Sequence, residues 1–157
     1  MYGLLVAIHI LGVAMWLGSG FTYAIWSSRG RNVANLDVTA FVFRTIARTQ
    51  AAITVPGMFL TVISGVILTF VGPYGWFDPA QPWLFAMQAM GLLAFVLALL
   101  VLYPRSIRVA RLAEQGVRRG HQDADFYAIN RQQAVLSSVV GLLLVAIIVV
   151  VYVLRLP

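Results

Sequence analysis

Four apolar stretches, each long enough to cross about 30 Å of hydrocarbon as a helix, limit what this chain can become. They cover residues 2–27, 51–72, 83–103 and 134–154. A backbone in lipid has no water to satisfy its polar groups, so such stretches become helices that pack on one another. The expected fold is an all-α, integral membrane four-helix bundle, a single domain over residues 1–157. With 61% hydrophobic and only 10% charged residues, the composition excludes an ordinary soluble domain. The first stretch lacks a basic leader and is followed by arginines rather than a small-residue cleavage site. It is read as a retained span, not a signal peptide.

Charge sets the expected orientation. All 11 basic residues are arginine, and the net charge is +6. They lie between the apolar runs rather than along one soluble face, which speaks against nucleic acid as a partner and for membrane topology. Arg29, Arg31, Arg44 and Arg48 fill the first connection, and Arg105, Arg108, Arg111, Arg118, Arg119 and Arg131 the third. The second connection, GPYGWFDPAQP, has no basic residue. The positive-inside rule therefore puts the first and third connections in the cytoplasm and both termini outside, with Arg155 the lone dissenter. Membrane lipid is an expected partner, its head groups surrounding the arginines.

The connections carry their own signals. Asn35 or Asp37 can cap a short helix with Val38, Phe41 and Ile46 on its apolar side. After Tyr103, the segment PRSIRVARLAEQGVRRG reads as a helical extension ending near Gly116 or Gly120. Trp76 and Trp83 mark an interfacial turn. Pro56 is expected to bend the second span and free a carbonyl.

Chemistry is sparse. No cysteine is present, which excludes disulfides, thiolate metal sites and cysteine catalysis. No Asp, Glu or Lys lies within a span, which argues against a proton relay and a polar transport path. What stands out is a stripe of Tyr2, His9, Trp16 and Tyr23, seven residues apart on one face of the first span. His9 is a histidine inside hydrocarbon, about 10 Å deep at 1.5 Å rise per residue. Gly65 of the second span and Met87 and Met90 of the third fall at the same level. Met58, Thr61 and Gly65 lie on a stripe of small and mildly polar residues along the second span.

An imidazole, thioethers and a glycine gap at one depth suit a flat ligand such as haem b. His9 is then the candidate axial metal ligand, and Met87 or Met90 the candidate second. A single membrane histidine cannot give bis-histidine ligation within one chain, although two copies of a homo-oligomer could pair theirs. Copper on His9 and the methionines is the weaker metal option, because no Met-x-x-Met cluster is present.

The motif His9-x6-Trp16-x-Gly18, followed by Phe21 and Tyr23, resembles the first helix of small bacterial membrane proteins related to the haem-binding, four-helix protoporphyrinogen oxidase. Pro56-Gly-Met58-Phe-Leu-Thr61-x3-Gly65 resembles that family's second helix, and Trp83-Leu84 the start of its third. Phe126-Tyr127-x2-Asn130 and Arg155-Leu156-Pro157 are similar to its last loop and terminus. The pattern also resembles uncharacterised four-helix membrane proteins and relatives of copper-resistance membrane domains. The resemblance implies a multi-pass protein of the bacterial cytoplasmic (inner) membrane, with a b-type haem on His9. It also implies a third-helix lysine near Met87 or Gln88 and an acidic residue after Asn130. This chain has no lysine, and Arg131 follows Asn130, so porphyrinogen oxidation is not carried over.

Two readings emerge. In the first, the chain binds haem for a redox or electron-transfer role, with cofactor contacts from His9, Trp16, Met58, Gly65, Met87 and Met90. Quinone or a membrane oxidoreductase would then be its partner. In the second, it is a cofactor-free structural or accessory subunit of a larger membrane complex, and His9 only hydrogen-bonds a neighbouring helix.

Overall fold

A computed structural model describes residues 1–155, with side chains through Val153. Leu156 and Pro157 of the closing motif, and the side chains of Leu154 and Arg155, lie outside the described residues. The chain forms α1 (Tyr2–Gly30), α2 (Leu36–Thr49), α3 (Val55–Val71), α4 (Pro82–Leu97), α5 (Tyr103–Arg119) and α6 (Ala124–Arg155). Two five-residue π-helical turns, Gln50–Thr54 and Ala98–Leu102, join α2 to α3 and α4 to α5. The result is four helices long and apolar enough to cross a membrane, among the described residues: Tyr2–Gly30, Leu36–Val71, Pro82–Arg119 and Ala124–Val153.

The short helix expected in the first connection exists, but it does not stop before the membrane. Asn35 caps it, its side-chain oxygen accepting from the N–H groups of Asp37 (2.9 Å) and Val38 (3.2 Å). It then runs through the first π turn into α3. Just ahead of Pro56, where a bend was expected, Val55 N–H bonds back to the Gln50 carbonyl, one residue beyond the α-helical partner. Tyr103 N–H bonds to Ala98 in the same way just before Pro104. A proline has no N–H to offer, and each wider turn sits where the ladder would otherwise be broken.

Of the three residues expected on the buried side of α2, only Ile46 is buried. Thr39, Ala40, Phe43 and Ile46 are buried, whereas Val38 and Phe41 face outward. Packing on α5 decides this. Phe43 meets Phe126 edge-on at 5.2 Å, in a core completed by Val109, Ala110 and Ala113. Of the two glycines at which the extension after Tyr103 could end, it ends at Gly120, whose φ of 77° is the left-handed cap conformation.

The bundle is assembled from pairs. α1 lies along α3, α4 along α6, and α2 on α5 at the arginine-rich end, while α3 and α4 barely touch despite the turn between them. The α1–α3 contact is made by glycines. A Cβ on Gly12 would sit 2.7 Å from both the backbone nitrogen and Oγ1 of Thr61, and 2.9 Å from the Gly57 carbonyl. A Cβ on Gly57 would sit 2.8 Å from Cβ of Met15 and 3.1 Å from the Gly12 carbonyl. Between helices in lipid, such close backbone approach supplies the dispersion contacts that hydrophobic burial cannot. The central core lies beside this crossing, with Trp16, Met58, Ala94, Ala98, Leu102 and Val140 buried together.

Gly12→Leu should therefore force α1 off α3 and destabilise the protein by about 3 kcal/mol or more, beyond ordinary overpacking because the obstruction is backbone. Gly18→Ala is the control, since nothing lies within 4 Å of its Cβ position. Unfolding in mixed micelles should show a large loss for the first and little change for the second.

Candidate functional site

His9 projects from α1 toward α3. Its Nδ1 lies 2.9 Å from the Thr61 carbonyl oxygen and 3.1 Å from Ser64 Oγ. A carbonyl only accepts, so Nδ1 carries the hydrogen, and in the neutral ring Nε2 is left as a bare acceptor. No hydrogen bond to Nε2 is present among the described residues. Ser64 meanwhile donates to the Leu60 carbonyl one turn back, so its oxygen stays turned toward the imidazole. Gly65 is the reason the ring fits: a Cβ there would lie 3.1 Å from His9 Cε1. The glycine gap expected to accommodate a flat ligand thus accommodates the histidine itself.

His9 stands in the wall of a cavity of about 630 Å³ between the two helix pairs, a volume typical of small-molecule sites. Trp16, Gly65 and Met87 line it too, as do Thr61, Thr69, Gln88, Gly91, Leu144 and Ile147. Four of the expected residues are therefore gathered around one space. The other two are not in its wall. Met58 is buried next to Trp16 and faces a second cavity nearer the arginine-rich end. Met90 is half-buried on α4, and Met87 is the methionine that the cavity receives.

The stripe on α1 separates in the same way. Tyr2 is exposed near the chain start. Trp16 is 5% exposed and borders both cavities, so it forms part of the partition between them. Tyr23 belongs to the second cavity, where its hydroxyl accepts from Thr54 Oγ1 at 3.3 Å.

One polar group was missed as a site element. Gln88 Oε1 accepts from Phe77 N–H at 2.8 Å, and its Nε2 donates to Thr69 Oγ1 at 3.3 Å. Thr69 in turn donates to the Gly65 carbonyl at 3.0 Å. This chain of bonds fastens the turn between α3 and α4, whose Trp76 and Phe77 line the cavity. Phe77 is held at a φ of 51°, unusual for a bulky residue, and Trp76 stacks on Phe70 at 5.9 Å. A glutamine within an apolar span was the available signal, because such a group must find partners. Gln88→Leu should release Phe77 and cost about 1–3 kcal/mol locally, read as faster amide exchange in residues 72–81.

No curated protein and no solved structure matches the chain, so the likeness to haem-binding and copper-resistance proteins rests on the motif residues alone. A family match does cover residues 3–155, and its description, Predicted integral membrane protein (DUF2269), agrees with the four apolar helices. With nearly its whole length matched, the chain belongs to that family of integral membrane proteins.

Proposed function

We propose that the protein binds a b-type haem within the membrane, with His9 Nε2 as an axial ligand. The observation that carries this reading is the 2.9 Å bond from Nδ1 to the Thr61 carbonyl. Histidines that ligate metals generally donate their other ring N–H to such an acceptor, which fixes the tautomer and makes the ligating nitrogen more basic. The residues present fit the group in three further respects. The cavity beside His9 has the volume and largely apolar lining of a cofactor site, Met87 supplies a thioether in the same wall, and Gly91 adds no side chain. Bound there, haem would supply one-electron redox chemistry. The chain's own part is to orient the imidazole through Thr61 and Ser64, to exclude water with Val13, Leu144 and Ile147, and to complete the wall with Trp76 and Phe77 of the Gln88-fastened turn.

The same hydrogen bond also favours a second reading. A histidine that donates to a neighbouring helix is partly satisfied and needs no metal, as in a cofactor-free accessory subunit. The bare Nε2 on a cavity wall favours the first.

Purified after haem-replete expression, the protein should give a reduced-minus-oxidised spectrum with Soret and α bands. His9→Ala should lose most of the bound haem while keeping its helical circular dichroism. A colourless wild-type protein, or an unchanged spectrum in His9→Ala, would refute the assignment.

For the orientation, we propose that the arginine-rich end faces the cytoplasm of a bacterial inner membrane and both termini lie outside. The arginine distribution supports it. Because the chain has no cysteine, single-cysteine labelling reads this cleanly. A membrane-impermeant maleimide should reach Ala80→Cys from the periplasmic side and Val33→Cys only after lysis. The opposite pattern would invert the topology.

A further inference from the structure

The second cavity, about 480 Å³, lies at the arginine-rich end of the bundle and is separate from the His9 site. Two features of its wall need a chemical explanation. The first is a pair of orphaned acceptors. Gln50 Oε1 and Gln133 Oε1 are both buried without a hydrogen-bond partner, and both residues line this cavity. Buried side-chain oxygens are nearly always paired, so each such orphan marks a place for a donor. Their origin is structural. Gln50 opens the first π turn, and Gln133 Nε2 donates at 3.2 Å to the carbonyl of Leu102, the last residue of the second. That bond fixes the Gln133 amide, because turning it over would set oxygen against oxygen. Its Oε1 is therefore committed to accepting.

The second feature is a sideways slot. Gly20 on α1 and Gly141 on α6 both line the cavity, and a Cβ at either would meet nothing within 4 Å. Phe21 and Leu142 beside them line the cavity too and are 57% and 69% exposed, so its wall reaches the surface of the bundle. The wall thus combines two acceptor oxygens with open space beside a glycine of α1 and a glycine of α6. An occupant should enter from lipid, carry an apolar tail and present hydrogen-bond donors at its head.

We propose that this cavity binds the hydroquinone head of a prenylated quinol, whose two ring O–H groups donate to Gln50 and Gln133 while its tail leaves between Gly20 and Gly141. Arg31 in the same wall would suit a phospholipid's phosphate, but the phosphate and ester oxygens only accept and would leave Gln50 and Gln133 unpaired, and two acyl chains would have to share one slot. The site needs no haem in the first cavity, because its groups are distinct from His9, Thr61 and Met87.

The test is binding to the full-length protein in nanodiscs, under reducing conditions, of a decyl-quinol and of its dimethyl ether. The two ligands match in ring and tail and differ in the donors. Two neutral hydrogen bonds should make the quinol bind at least about fivefold tighter. Gln133→Leu should remove most of that preference, and Gln50→Leu, which leaves the bond to Leu102 intact, should reduce it independently. Gly141→Leu should weaken both ligands by filling the slot. His9→Ala should bind the quinol as the wild type does, which separates failure here from failure of the haem assignment. Equal affinity for quinol and ether in the wild type would overturn the proposal. So would binding insensitive to Gly141→Leu, or a tightly held phospholipid that the quinol does not displace.

Discussion

The structure depends on one close approach, the crossing of α1 and α3 at Gly12 and Gly57. Lipid offers helices no reward for burying leucine, so the pair must be held by backbone proximity and by what that proximity lets side chains reach. Thr61 is an example. Its backbone nitrogen and hydroxyl fill the space a Cβ on Gly12 would take, its hydroxyl donates to the Gly57 carbonyl, and its own carbonyl accepts from His9 Nδ1–H. The same helix contact that assembles half of the bundle therefore chooses the tautomer of its one membrane-embedded histidine. Gly65, one turn further along α3, leaves the room in which the ring lies.

The α4–α6 pair is built with less intimacy, since a Cβ on Gly91 would only graze Ile147 at 4.0 Å. Because α3 and α4 barely touch, the two pairs stand apart and are closed at each end by different means. At the arginine-rich end, α2 and α5 clasp through Phe43, Phe126 and the small residues around them, with Ser27 of α1 donating to the buried Asn130 of α6 at 3.0 Å. The ion pair of Arg44 and Glu114 at 2.9 Å is exposed and adds at most about 1 kcal/mol. At the other end, a turn rich in aromatics is fastened by Gln88. Two cavities between the pairs follow from this arrangement, with Trp16 as part of the partition.

Much of this was legible in the sequence, and the gaps have physical causes. Four spans, the Asn35 cap and the Gly120 stop are written in local composition, because hydrocarbon thickness and capping chemistry leave few options. Depth counting brought His9, Gly65 and Met87 to one level, since a straight helix converts residue number into height. It could not tell Met87 from Met90, because rotation about the axis is decided by packing. The glycine crossing was missed for a related reason: Gly12 and Gly57 look like any other glycines until two helices are laid together. Val38 and Phe41 were placed inward on apolar character alone, whereas the surface of α5 selected Ala40 and Phe43. The continuity of α2 into α3 was hidden by Pro56, since a π turn just ahead of a proline has no compositional mark of its own.

The state of the His9 ring is where helix packing and proposed chemistry meet. The chain has two histidines, His9 and His121, so nitrogen-15 NMR on histidine-labelled protein in bilayers resolves them readily. His9 should show a protonated Nδ1 and a bare Nε2, and adding haemin should shift or broaden the Nε2 signal while leaving His121 unchanged. An Nε2–H tautomer would contradict the hydrogen bond to Thr61 that the α1–α3 crossing sets up, and an Nε2 signal indifferent to haemin would contradict His9 as a ligand.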